Sequence, residues 1–187
     1  RRQRQMCIRD SNGRAFYFGS GETGDCVIDN FTIQNGKVSG ACGGAVLCES
    51  NSSPTIRNCV FKDNETESGL ASGGAIACWD SGDATIIGCT FTGNRAVWRG
   101  GAIFCDSSDL TVTDCTFSGN SAADGGAIFC DASSPTISNC TFSGNSANCR
   151  GGAISCYSSP TITNCTFSSN SAGEDGGAIY CYDCDPR

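Results

Sequence analysis

Sixteen cysteines in a chain of 187 residues are the side chains best able to do chemistry here. A thiol can act as a nucleophile, a metal ligand or half of a disulfide, and its surroundings decide which. Nucleophilic use needs a base beside it, and the chain has no histidine to be one. The same absence removes Ser-His-Asp triads and imidazole ligands. Structural zinc needs close pairs of ligands, and only Cys181 and Cys184 have C-x-x-C spacing. The chain is therefore read as no enzyme, with no catalytic residue, no metal site and no cofactor. Pairing and packing remain. An even count permits full pairing, and this density points to an oxidising compartment, extracellular or at the cell surface.

The elements that carry the cysteines form a repeat. The clearest unit runs Gly125-Gly126-Ala127-Ile128-Phe129-Cys130, then Pro135-Thr136-Ile137-Ser138-Asn139-Cys140-Thr141-Phe142, then Asn145-Ser146-Ala147. Further copies open at Gly43, Gly73, Gly100, Gly151 and Gly176. Cys59, Cys89, Cys115, Cys140 and Cys165 recur at steps of 30, 26, 25 and 25 residues. Each unit holds three short runs of alternating apolar residues, separated by Gly, Ser, Asn and Asp, and such runs read as strands between turns. No sustained 3.6-residue period exists, so helix is not expected. This predicts an all-β chain: a single parallel β-helix, or solenoid, with three short strands per coil of about 25 residues and six to seven coils. One domain spans 1–187, with degenerate lead-in coils over 1–42 and regular repeats over 43–187.

Alternation assigns the faces. The third position of Ala-Ile-x-Cys is Leu47, Ala77, Phe104, Phe129, Ser155 or Tyr180, a freedom that marks it as outward. Ile and Cys then point inward, as do Ile137, Cys140 and Phe142, with a turn at Asn139. The asparagines Asn64, Asn94, Asn120, Asn145 and Asn170 are expected to form an amide ladder that satisfies turn backbone. Eleven cysteines fall into two inward columns: Cys48, Cys78, Cys105, Cys130, Cys156 and Cys181, and Cys59, Cys89, Cys115, Cys140 and Cys165. Bonds up a column are disfavoured, because stacked Cβ atoms lie about 4.8 Å apart and a disulfide wants about 3.8 Å. Staples across one coil, such as Cys130 to Cys140, are one reading; a ladder of buried free thiols is the other.

The Gly-Gly-Ala-Ile and Phe-x-x-Asn pattern resembles the repeats of chlamydial polymorphic outer-membrane proteins, and more widely those of bacterial right-handed β-helix surface proteins. Residues 27–36 resemble the lead-in coil of that group. The resemblance implies right-handed winding. It leaves function open, since such folds serve as adhesins, passenger stalks and polysaccharide-degrading enzymes.

Solenoids usually need caps, because end coils expose strand edges. No cap is seen at either end. Met6 and Ile8 fit a third strand, and the chain stops partway through a coil. Arg1, Arg2 and Arg4 enrich one end in positive charge, and Glu174, Asp175, Asp183 and Asp185 enrich the other in negative charge. The leading expectation is a structural scaffold whose subunits stack head to tail into a filament or surface stalk, with self as partner. Cys184 would then lie near Cys7 or Cys26 of a neighbour. The alternative is a fragment of a cell-surface adhesin or carbohydrate-binding β-helix.

The remaining classes are weaker. A net charge of −7 argues against nucleic acid. No run of apolar residues is long enough for a membrane-spanning helix. A pectate-lyase-like enzyme would need clustered acids, and only Asp29 and Arg57 could be neighbours on the strand after the Pro turn. Surface glycans could meet Tyr157, Tyr180, Trp79 or Trp98. Thr-x-Thr pairs at Thr111–Thr113 and Thr161–Thr163 suggest ice binding, but Arg57, Ile87 and Ser138 break the row. Sequons occur at Asn30, Asn51, Asn64, Asn139 and Asn164; the last two are read as turn residues, the others as able to carry glycan.

Overall fold

A computed structural model describes residues 4–7 and 13–184, with side chains from residue 13 onward. They form a right-handed, all-β parallel solenoid without helix among the described residues. Four parallel sheets wrap the lumen. Sheet I stacks Phe16–Phe18, Val46–Cys48, Ile76–Trp79, Ile103–Asp106, Ile128–Asp131, Ile154–Tyr157 and Ile179–Cys181. Sheet II runs from Val27–Asp29 to Thr161–Thr163 and sheet III from Arg4–Cys7 to Thr166–Ser168. The expected three strands per coil are joined by a fourth, shorter one. Sheet IV stacks pieces of two or three residues, from Lys37–Ser39 to Ser171–Ala172. These strands are too short to show alternation, which hid them in the sequence.

Left-handed backbone makes the corners. Between sheets II and III the corner residues are Asn30, Asn58, Gly88, Asp114, Asn139 and Asn164, with φ between 53° and 62°. Asn, Asp and Gly tolerate this region better than other residues, because a short polar side chain can bond locally and Gly has no Cβ. The Gly-Gly pair opens sheet I. Gly125 has φ 64°, and a Cβ on Gly126 would collide with the carbonyl oxygen of Gly152 one coil on. Gly125 is therefore imposed by its left-handed backbone and the strand it opens, and Gly126 by the close stacking of coils.

The lumen is filled by columns in register. Ile28, Ile56, Ile86, Val112 and Ile137 line sheet II, all buried. Phe61, Phe91, Phe117, Phe142 and Phe167 stack along sheet III, with centroids 4.7–4.9 Å apart and rings within 5° of parallel. Such offset stacks add to the burial of each ring. The asparagine ladder forms as expected. Asn120 Nδ2 donates to Asn145 Oδ1 at 2.9 Å and to the Phe91 carbonyl at 3.1 Å, and its Oδ1 accepts from the amide and side chain of Asn94, each at 3.0 Å. Buried amide groups are thereby satisfied by side chains one coil away.

One face assignment needs correction. Leu47, Ala77, Phe104 and Phe129 do leave the lumen, but they do not reach solvent. With Cys42 and Tyr157 they form a second apolar cluster on the outer face of sheet I. The segments that enter each Gly-Gly pair lie over that face: a Cβ on Gly73 would contact the Cβ of Ala77, and one on Gly125 that of Phe129. The variable third position therefore reflects a loosely shaped pocket rather than exposure.

Candidate functional site

The two cysteine columns differ in what holds the sulfur. In the column at the II–III corner, each Cys follows the left-handed residue, and its Sγ is turned onto backbone. Cys115 Sγ donates to the Thr113 carbonyl at 3.2 Å and accepts the Cys89 amide at 3.4 Å. Cys89, Cys140 and Cys165 repeat the first bond to Ile87, Ser138 and Thr163 at 3.4, 3.1 and 3.2 Å. The corner thiol is thus a turn-capping group, like the asparagine of the next corner.

The sheet I column makes no such carbonyl bond among the described residues. Cys48, Cys78, Cys105, Cys130, Cys156 and Cys181 are stacked residue on residue, and all but Cys181 are buried. Thiol–thiol hydrogen bonds and then burial push Cys78 and Cys130 well above the ordinary thiol range. The same kind of bond, from Cys130 and Cys181, holds Cys156 down. A proton lost at one thiol therefore makes its neighbours harder to ionise.

The cross-coil disulfide is not formed. All fifteen cysteines whose side chains are described are free thiols, and none is at bonding distance from another. The reason is geometric: corner thiols are committed to carbonyls and lumen thiols face their own column. Of the cysteines outside the columns, Cys42 is buried in the second cluster, while Cys26, Cys149 and Cys184 are half-buried.

The end residues are placed as follows. Arg4, Met6 and Cys7 lie in the first strand of sheet III, paired with Phe31, Ile33 and Gln34. Arg1, Arg2, Ile8 and Asp185 fall outside the described residues. Glu174 is not free, as its carboxylate lies 3.3 Å from Arg150. Cys184 Sγ donates to the carbonyl of Ser158 at 2.7 Å, within its own molecule. Asp175 accepts the Gly151 amide at its backbone carbonyl, and Asp183 is a left-handed residue, with φ 57°.

Asp29 and Arg57 do meet, at 3.1 Å, and Asn58 also donates to Asp29 at 3.0 Å. A second site was not visible in the sequence. Glu49 accepts from Tyr17 Oη at 2.6 Å and from Trp79 Nε1 at 2.7 Å. These bonds hold the Glu49 carboxyl below its usual range, and the bond to Glu49 raises Tyr17. Trp79 borders an open cleft of about 490 Å³ with Glu49, Ser50, Asp80, Asp106 and Ser107. The three residues of the clamp sit one coil apart, so only the register could have revealed them. Of the other proposed glycan contacts, Trp98 is exposed, whereas Tyr157 and Tyr180 are half-buried beside Arg99 and Arg150. Among the sequons, Asn64 is fully buried in the amide ladder and cannot carry glycan; Asn51 is exposed.

The outer faces of sheets II and III are rows of hydroxyls. Thr85, Thr111, Thr136 and Thr161 stack in one row, and Thr90, Thr116, Thr141 and Thr166 in another. No helix is long and apolar enough to cross a membrane among the described residues.

Two family models match the chain. A right-handed β-helix region covers residues 6–167, and a Chlamydia polymorphic membrane protein repeat covers residues 164–182. No curated protein and no solved structure gives a match.

Proposed function

Because the chain belongs to the right-handed β-helix family, we propose that it is a non-catalytic structural scaffold held at a cell surface, part of a stalk or passenger of the autotransporter type. The observation that carries this reading is the polymorphic membrane protein repeat at residues 164–182, which suggests a surface or outer-membrane location. Parallel stacking supports the mechanical role. Every coil is tied to the next by four sheets and by buried Phe, Ile and Asn columns, so load along the axis is shared among many bonds. The pairing of Asp29 with Arg57 supports a non-enzymatic reading, since the two neutralise each other. The test is labelling of intact producing cells with a membrane-impermeant amine reagent. Labelling before lysis is expected; labelling only after lysis would overturn the reading.

Head-to-tail stacking of copies is the assembly mode proposed for this scaffold. What supports it is the register itself, because a coil offers the same four strands to whatever continues it. Negative-stain microscopy should show fibres one solenoid wide; uniform short particles would remove this part. The Tyr17–Glu49–Trp79 clamp favours a second reading, a surface that binds neutral glycans by stacking on Trp79. Glycan-array binding lost in Trp79→Ala would support it.

A further inference from the structure

From the lumen column we infer a linear binding site for soft monovalent cations, copper(I) or silver(I), taken up as a chain between stacked thiolates.

The argument begins with spacing. Cys48, Cys78, Cys105, Cys130, Cys156 and Cys181 are direct register partners in adjacent parallel strands. Their side chains therefore repeat at about 4.8 Å. That is too long for a disulfide, whose Cβ atoms want about 3.8 Å. It is close to twice a metal–thiolate bond of about 2.3 Å. A cation midway between two stacked sulfurs would have two ligands on one line. No group of three or more His, Cys, Asp or Glu suited to a metal exists among the described residues. Zinc, which takes four ligands, is therefore disfavoured. Soft d¹⁰ monovalent ions accept two thiolates in a line and prefer sulfur to any oxygen ligand.

Charge balance permits filling of the whole column. Each bound cation displaces one thiol proton to solvent, so the column stays neutral at every occupancy and no net charge is left in the apolar lumen. The limit is one cation in each of the five gaps between the six thiols, with one terminal thiol still protonated. Because the lumen is closed over most of its length, loading would accompany folding.

The corner column supplies the contrast inside the same molecule. Its sulfurs sit 3.1–3.4 Å from carbonyl oxygens, at Arg57, Ile87, Thr113, Ser138 and Thr163. A thiolate there would face those oxygens without a proton between them, so the corner column should stay unmetallated.

The test refolds the reduced, denatured chain without oxygen in the presence of silver(I). The product is then challenged with excess soluble dithiol, which strips exposed thiols, and counted by native mass spectrometry. Four retained cations are expected, with one proton released for each, because the dithiol strips the gap closed by the exposed Cys181. The double variant Cys105→Ala/Cys130→Ala should retain one, between Cys48 and Cys78. Cys115→Ala/Cys140→Ala should retain all four. Far-UV circular dichroism checks folding of each, and Cys105→Val, closer in volume, serves if the double variant does not fold; it should retain two. No retained cation after refolding, or equal loss from lumen and corner variants, would overturn the proposal.

Discussion

The two cysteine columns repeat with the same period and point into the same lumen, yet they are kept for different physical reasons. At the corner, each sulfur fills the hydrogen-bonding needs of a tight turn. Thiol–thiol contacts run along both columns, but in sheet I the buried sulfurs fill space without a carbonyl partner among the described residues. Repetition of a residue type therefore does not establish a single role. Where the backbone turns, a buried side chain is chosen for what it donates and accepts; where it runs straight, for volume.

The asparagine ladder marks the polar extreme of that contrast and should give the largest effect. Asn120→Leu removes partners from the Phe91 carbonyl, the Asn94 amide and two neighbouring side-chain amides. The two side-chain amides keep other bonds, Asn145 Oδ1 from the Asn120 amide and Asn94 Nδ2 to the Phe61 carbonyl, so two buried groups are stranded; at about 1–3 kcal/mol each, the loss should be roughly 2–6 kcal/mol. Urea unfolding measures it as a lowered midpoint at unchanged slope.

Substitutions at the columns themselves should rank in opposite orders. At the corner, Cys115→Val strands the Cys89 amide and should cost about 1–3 kcal/mol, while Cys115→Ser keeps a donor and acceptor and should cost under about 1 kcal/mol. In the lumen, Cys105→Ser buries a hydroxyl without a carbonyl partner, at about 1–3 kcal/mol, and Cys105→Val should cost under about 1.5 kcal/mol. The same ranking at both positions, in paired unfolding curves, would erase the distinction.

Both columns share burial, which thiol labelling can verify. Ten of the fifteen cysteines whose side chains are described are buried, so of those fifteen an aromatic disulfide reagent should modify no more than Cys26, Cys149, Cys165, Cys181 and Cys184 before denaturant is added. Rapid reaction of Cys105 or Cys115 in the native state would mean that the coils open.

The smallest effect lies at the surface. Glu49 is held below its usual range by the Tyr17 and Trp79 bonds, so the clamp is complete above the unfolded carboxyl value, about 4.3, and is lost as pH falls through the lower folded value. Trp79 emission should shift on acidification, and Glu49→Gln should weaken that shift. Emission indifferent to pH below 5 would show that the clamp does not form.

Much of this fold was legible in the sequence. The period, the inward Ile, Phe and Cys, the turn at Asn139 and the Asn64–Asn170 ladder follow from alternation and from what each residue tolerates at a turn, whereas the left-handed conformation of that turn came from the structure. The fourth strand was not, because Ser146–Ala147 is too short for a pattern. Nor was the cover over Leu47, Phe104 and Phe129, since alternation tells which side of a strand a residue takes but not what lies on that side.

The sequence by itself determined the coil: its length, its corners and the residues that face inward. These rest on local backbone preference and on a two-residue period, both written along the chain. Only the tertiary structure decided the partners. Whether a thiol meets an amide or another thiol depends on residues 25 to 30 positions away, brought together by one turn of the solenoid. The Glu49 clamp, the ion pair of Arg150 with Glu174 and the freedom of the lumen thiols are all of that kind, because contact between coils is set by register and corner geometry acting together.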